Sequence, residues 1–375
     1  MTARAEWTRT ALAGIARQTG AAIPPLRPGA WSPVADLDYW DMWPIADADG
    51  RTVLRGGRSW WFFLAAPRLD DPEARHDVAR IRLTSIGGDG VWRDHGDAFP
   101  DGFTPGSREW SGSAVLEEDG VTLSHYFTAA GRRGEATSFE QRLFVSRGRF
   151  HVDGDAAHLS DWSPPEEIVA ADGAVYTIAN ETVAPPHGIQ GFRDPGFFRD
   201  PADGAAYVLF TANAAWSDAR VNGVIGVARR SDDAWRLDPP LLSAIDVNSE
   251  LERPHIVVRD GRYYLFWSTQ ARRFATGITA PTGLYAMVAE RMAGPWRPAN
   301  GTGLVAANPP QAPAQAYCWW VTADGYVLSF RDYPGIAPDR LDSLAEVAQR
   351  RRAFGGAPAP FFLLAFDGDR VTLST

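Results

Sequence analysis

Three short stretches of this 375-residue chain carry the residue types that polar chemistry needs. Trp40-Asp41-Met42-Trp43-Pro44 holds one acid between two indoles and ends on a proline. Phe192-Arg193-Asp194-Pro195 sets an acid between a guanidinium and a proline. Glu250-Leu251-Glu252-Arg253-Pro254-His255 alternates two acids across an apolar residue, then adds Arg and Pro. Aromatic walls around a few placed polar groups are how proteins hold sugars and other small ligands. On a strand, Glu250 and Glu252 face one side and Leu251 the other. Two neighbouring carboxylates repel, so one takes up a proton or recruits Arg253, which yields an acid still protonated near neutral pH. Plainer readings exist for each stretch. Asp41 fits a turn cap before Pro44, Arg193 and Asp194 fit a local ion pair, and the Glu-Arg run fits a salt-bridged strand end at the surface. What favours one shared site is that all three combine an acid, an Arg or Trp, and a Pro beside an apolar run.

Such residues need a scaffold that brings them together. Asp-Gly pairs recur at Asp49-Gly50, Asp89-Gly90, Asp119-Gly120, Asp153-Gly154, Asp172-Gly173, Asp203-Gly204, Asp260-Gly261, Asp324-Gly325 and Asp367-Gly368. Asp-Gly suits the two positive-φ positions of a tight hairpin, so each pair predicts a strand reversal. Three are followed by similar strands: Ala206-Tyr207-Val208-Leu209-Phe210, Tyr263-Tyr264-Leu265-Phe266 and Tyr326-Val327-Leu328-Ser329-Phe330. A hairpin unit repeating roughly every 55 to 65 residues, with little helix between, predicts an all-β propeller of about five blades. A β-sandwich or β-helix is the alternative. Inner strands of propeller blades converge on one axis, where three acids would form a funnel-bottom site.

Two helices are predicted. One covers residues 3 to 18, with Trp7, Ala11, Leu12 and Ile15 on one side, before a Pro-rich approach (Pro24, Pro25, Pro28, Pro33). The other follows Pro338-Asp339 through Leu341, Leu344, Ala345 and Ala348, with Arg350 to Arg352 as a solvated helix end favoured by the helix dipole. Phe361 to Phe366 reads as a last buried strand. No linker divides the chain, so residues 1 to 375 are expected to form one domain.

Composition removes several function classes. A net charge of -9 and the lack of a basic run other than Arg350 to Arg352 exclude a nucleic-acid partner, which demands a concentrated cationic surface. One cysteine, Cys318, permits no internal disulfide and no Cys-built zinc site. No Gly-rich phosphate loop, P-loop or His-Glu-x-x-His helix is present. No apolar stretch reaches membrane-span length and no signal peptide is visible, so the expectation is a cytoplasmic protein or one exported by a non-classical route. The 15 Trp are more than core packing demands and tilt the ligand towards carbohydrate.

Taken with Glu109-Trp110-Ser111-Gly112-Ser113, the three acidic stretches resemble, in order, the successive signatures of glycoside hydrolase family 68, the levansucrases, inulosucrases and related β-fructofuranosidases. The resemblance runs from Trp7-Thr8-Arg9 through Pro239-Pro240-Leu241-Leu242-Ser243-Ala244 to Gln315-Ala316-Tyr317 and is nearest to the shorter, Gram-negative-type members. It implies a single-domain five-bladed β-propeller and retaining transfer of fructose from sucrose to a fructan, a small sugar or water. Asp41 would be the nucleophile, Glu252 the acid/base, and Asp194 the residue that holds fructose hydroxyls and stabilises the oxocarbenium-like transition state. Trp40, Trp110, Ser111, Arg193, Glu250, Arg253 and Tyr317 match positions that line the sugar pocket.

Departures from the family pattern qualify that reading. Thr269-Gln270-Ala271 stands where related levansucrases carry Ser-His-Arg, which puts Gln270 on the acceptor side in place of a His and bears on long-polymer synthesis. Tyr317-Cys318-Trp319 replaces Tyr-Ser-His. The segments between Asp41 and Trp110 and between Arg142 and Arg193 are short, which predicts an open rim favouring water or small acceptors. Ser249 replaces the acid of the Gram-positive calcium site, so no structural calcium is expected, and the missing phosphate-loop and metal-helix motifs predict no metal and no cofactor. The competing readings are a mainly hydrolytic β-fructofuranosidase, another propeller glycosidase acting on fructans or arabinosides, and a sugar-binding propeller without catalysis. Linkage, polymer length and oligomeric state are not encoded legibly.

Overall fold

The computed structural model describes residues 4–27, 33–180, 189–232 and 234–374. Its Asp-Gly pairs reverse the chain between strands, except Asp172-Gly173, which lies in a connection. Only Asp260-Gly261 places both residues at positive φ, 50° and 73°. Elsewhere the glycine alone is left-handed, and at Asp89, Asp119, Asp172 and Asp203 the aspartate side chain accepts from backbone N–H groups of the turn. Asp119, for example, accepts from the backbone N–H of Val121 (2.8 Å) and Thr122 (2.7 Å).

These reversals build a mostly β protein of successive antiparallel meanders. The first runs through Leu37–Ala46, Arg58–Pro67, Arg80–Gly87 and Trp92–Asp97; the second through Arg108–Leu116, Thr122–Ala130, Gln141–Asp153 and Ala156–Ser160. A short parallel pairing of Ile45 and Ala46 with Ala114 and Val115 joins these two. The third comprises Phe192–Arg199, Ala206–Asn213, Gly223–Ser231 and Ala234–Ser243; the fourth, Glu252–Arg259, Arg262–Thr269 and Gly283–Ala289, the last paired with Arg297–Pro298 and Leu304–Ala307. The fifth comprises Ala316–Val321, Tyr326–Arg331, Phe362–Asp367 and Arg370–Leu373. The three look-alike strands of the sequence are the second strands of meanders three, four and five. The first strand of each meander touches the first strand of the next, and that of the fifth touches that of the first. Apolar side chains fill the spaces between neighbouring sheets.

Every one of these first strands carries a register shift at the same level. The shifts fall between Trp40 and Met42, Trp110 and Gly112, Arg193 and Gly196, Glu252 and His255, and Tyr317 and Trp320. Four of the bulged residues have positive φ: Asp41 (39°), Asp194 (63°), Arg253 (55°) and Cys318 (55°). A bulge leaves ladder positions unpaired, so Pro195 and Pro254 sit where a missing N–H costs no hydrogen bond. Close approach explains two glycines: a Cβ on Gly112 would meet the Tyr126 carbonyl oxygen at 1.9 Å, and one on Gly196 the Pro254 oxygen at 2.3 Å.

Several expectations change. Pro44 does not end its strand; it pairs opposite Trp61 and the strand continues to Ala46. The N-terminal helix shrinks to Arg9–Leu12, capped by Thr8, and a single turn at Ile15–Arg17, while residue 3 and Pro28 lie outside the described residues. Its apolar stripe is overridden because Ala5 and Glu6 pair in parallel with Leu242 and Ser243. Residues 5 to 26 then cross the molecule as a strap: Ala22 bridges to Ala307, and Gln315 accepts from the Leu26 N–H and donates to the Pro24 carbonyl. Trp7 anchors the strap among Trp267, Phe274 and Tyr285, and its Nε1 donates to the Thr302 carbonyl at 3.0 Å. Trp7→Ala is expected to cost about 3–5 kcal/mol of stability, read as a lower urea midpoint with the cavity residues unchanged.

The C-terminal helix is broken at Glu346 into Pro338–Ala345 and Val347–Ala353. Its arginines are not a free solvated end, because Arg350 binds Asp71 at 2.6 Å and Arg351 pairs with the buried Asp38. The strand at Phe362–Asp367 is only partly buried and is followed by Arg370–Leu373. Many indoles serve packing rather than a ligand: Trp7, Trp43, Trp60, Trp61, Trp267 and Trp319 are fully buried core. No helix among the described residues is long and apolar enough to cross a membrane.

Candidate active site

The bulges set the side chains of the first strands at one end of a cavity of about 1060 Å³. Trp40, Asp41, Trp110, Ser111, Arg193, Asp194, Glu250, Glu252, Gln270 and Tyr317 all line it. Arg253 is the exception. Its side chain lies off the face shared by Glu250 and Glu252, across Trp43 and Trp320, and donates to the Met42 carbonyl at 2.7 Å. The guanidinium recruited by the two glutamates is therefore Arg193, from the neighbouring meander. It pairs with Glu250, holds Glu252 at 3.0 Å and lies 3.6 Å from Asp194. The Glu-Arg run is not a surface salt bridge, since Glu250 and Arg193 are both buried.

Each acid is held differently. Asp194 is fixed on both oxygens, by the Ser111 hydroxyl at 2.6 Å and the Thr211 hydroxyl at 2.9 Å, while its own N–H donates to Thr128 Oγ1 at 2.9 Å. Thr128 and Thr211 stand on second strands, directly opposite Trp110 and Arg193. Glu250 forms an ion pair with Arg273 at 2.5 Å as well as with Arg193. Trp40 wedges between His76 (ring centroids 5.7 Å) and the Arg75 guanidinium (5.3 Å), and Trp110 Nε1 donates to the His76 carbonyl at 3.0 Å. Trp43 does not reach the cavity; it packs below it on Phe62 and His125.

The environments push the acids apart. Burial and the adjacent Glu250 lift Glu252 to about 8, against the pull of Arg193, with Asp194 and Asp41 adding to the rise. Burial also acts on Glu250, but Arg273 and Arg193 outweigh it and hold that carboxyl below its ordinary value. Asp41 is raised by burial and by Asp194, while Arg253, a hydrogen bond from the Cys318 thiol and Arg75 oppose the rise. The site thus contains one carboxylic acid protonated at neutral pH beside carboxylates braced by cations, a division of labour suited to acid–base and nucleophilic chemistry at one carbon. Among the described residues no cluster of His, Cys, Asp or Glu has the arrangement of a metal site.

Sequence reasoning missed several cavity residues. Glu73, Arg75 and His76 arrive on the Pro72–Asp77 turn, and Asp332 and Tyr333 follow the Tyr326–Arg331 strand. Aligning the repeated hairpins by their Asp-Gly pairs would have placed Thr211 opposite Arg193; nothing in the local pattern marks Glu73 or Arg75.

Comparison with known proteins follows the same lines. Residues 1–222 and 214–374 match the levansucrase/invertase family, glycoside hydrolase family 68. Among curated relatives, the levansucrase LscC of Pseudomonas savastanoi pv. glycinea is 32% identical over 88% of this chain and 81% of its own. A levansucrase of Rahnella aquatilis is 29% identical over 92% and 89%. Among solved structures, an inulosucrase from Halalkalicoccus jeotgali bound to kestose superposes with a TM-score of 0.89 at 37% identity, covering 99% of this chain and 95% of that one. The levansucrase of Gluconacetobacter diazotrophicus shares the fold at a TM-score of 0.84 and 22% identity, over 100% and 90%.

Proposed function

Because this chain belongs to glycoside hydrolase family 68 and is a levansucrase/inulosucrase-type fructosyltransferase acting on sucrose, we propose that Asp41, Asp194 and Glu252 carry out that transfer with retention. In the first half-reaction an Asp41 oxygen attacks the anomeric carbon of the fructosyl unit. The bond from that carbon to the glucosyl oxygen breaks as Glu252 gives that oxygen its proton, and glucose departs. In the second, the Glu252 carboxylate takes the proton of an acceptor hydroxyl, whose oxygen attacks the anomeric carbon and displaces Asp41. Retention requires two carboxyls roughly 5–5.5 Å apart with unlike proton affinities. Asp194, locked by Ser111 and Thr211, is pre-oriented to hold fructose hydroxyls and to face the positive charge that develops on the ring. Arg193 ties Asp194, Glu250 and Glu252 into one unit, so the acids keep their separation without substrate.

The five meanders are read as blades of a single-domain five-bladed propeller, with the cavity as its funnel. The closed cycle of contacts among the first strands supports this. Sugars are the partners: sucrose as donor, and fructans or small saccharides as acceptors, in keeping with the kestose bound by the inulosucrase relative.

The observation that carries the mechanism is the raised Glu252 beside the cation-braced Glu250. The direct test incubates the protein with sucrose and quantifies glucose against fructose. Glucose in excess of fructose is expected, since a transferred fructosyl group does not appear as free sugar. Equal amounts would show a hydrolase, and no glucose at all would overturn the proposal.

A further inference from the structure

We propose that Asp332 is a specificity-determining residue of this site: its carboxyl grips hydroxyls of the sugar on the acceptor side of the cavity, across from Gln270 and Arg272. The inference rests on reading the cavity as the fructosyl-transfer site.

Register places it there. Gln270 stands two residues beyond Ser268, which pairs with Glu252 on the innermost strand of the fourth meander. Asp332 stands two residues beyond Phe330, which pairs with Tyr317 on the innermost strand of the fifth, and its N–H donates to the Gln315 carbonyl at 3.0 Å. The two residues are therefore counterparts on adjacent sheets, and both line the cavity. Arg272 links the two walls: its Nε donates to Gln270 Oε1 at 2.6 Å, and its charge also acts on Asp332.

The carboxyl is left unused by the protein. Among the described residues the structure gives it no hydrogen bond and no ion pair, although cations surround it. Arg75 is committed to the Pro72 carbonyl (2.7 Å) and Glu73 (3.2 Å), with its face against Trp40 and Phe354. The Tyr333 hydroxyl is taken by Glu73 at 2.5 Å, and Arg350, from the helical segment over this wall, is taken by Asp71. The residue is half-buried and lines the cavity, so a carboxyl that the protein leaves unpaired is open to a ligand there. Burial, with Glu73 and Asp41 nearby, raises it to about 7 against the pull of Arg75 and Arg272. Near neutrality it can thus donate to one sugar hydroxyl and accept from another, as an amide can.

The test compares Asp332→Leu with Asp332→Asn at pH 6, after thermal melts establish that both are folded. For Asp332→Leu, the KM for sucrose should rise and the share of fructosyl groups transferred should fall, each about three- to tenfold, the scale of one lost hydrogen bond. Asp332→Asn should stay within about twofold of the native protein, because an amide keeps both hydrogen-bonding roles. Native KM and native transfer share in a folded Asp332→Leu protein would overturn the inference, as would equal impairment of the two variants, which marks a structural role. If both variants still release glucose from sucrose, the fructosyl-transfer reading survives whichever result is obtained.

Discussion

Replacing Asp41 by Asn is expected to lower glucose release from sucrose by about 10⁴-fold or more, the scale on which loss of a covalent nucleophile is felt. The substitution isolates chemistry from structure. Asp41 occupies the bulge of its strand at a φ of 39°, a conformation that Asn tolerates almost as well as Asp and that bulkier residues do not. The carboxamide has the same shape, so the packing of Trp40 and the Arg253 contact to Met42 should survive, and the thermal midpoint should stay close to the native one. What disappears is the anion proposed to attack the anomeric carbon. A folded variant that still releases more than about one percent of the native glucose would remove Asp41 from the role of nucleophile.

Glu252→Gln should cost about 10²- to 10⁴-fold with sucrose, because the glucosyl oxygen then leaves without a proton. The loss should be much smaller with β-fructosyl fluoride, whose fluoride departs with little protonic help. The pH profile gives a second measurement. Glu252 must be protonated to act as the acid, and its proton is lost as pH rises through about 8, so native kcat/KM for sucrose should fall on that alkaline side. The glutamine variant has no such limb. On the proposed mechanism Asp41 must be ionised, so activity is expected to fall on the acid side as pH drops through a value above the ordinary aspartate range. An equal loss on both donors, or an alkaline limb that persists in the variant, would show that Glu252 is not the acid.

The acids were legible in the sequence because the fold marks them with proline. Asp194-Pro195 and Arg253-Pro254 look like odd dipeptides in a strand until the bulge is seen, where a residue without an N–H is tolerated. The inference about Arg253 failed because alternation itself places it off the face that Glu250 and Glu252 share: it lies across Trp43, which leaves Arg193, from the neighbouring sheet, to do the pairing. Thr128 and Thr211 escaped notice because a lone threonine in an apolar strand has no pattern of its own; only the opposite strand gives it meaning. The helix predicted over residues 3 to 18 failed for a related reason. Its apolar residues face a distant strand and the Trp267 cluster, so tertiary contacts rather than helical periodicity selected them.

The strap of residues 5 to 26 bears on the order in which the molecule can be completed. It leaves the ribosome before the five sheets, yet its partners, Leu242, Ser243, Thr302, Ala307 and Gln315, are made much later. While the first sheets emerge and pair locally, the strap has nothing to dock on and its tryptophan remains exposed to solvent or to chaperones. Its docking is a long-range closure of high contact order, available only after the fourth sheet exists, and such closures are slow. A segment made before the sheets is thus among the last to be secured, and it acts as a latch that engages only on a nearly finished ring.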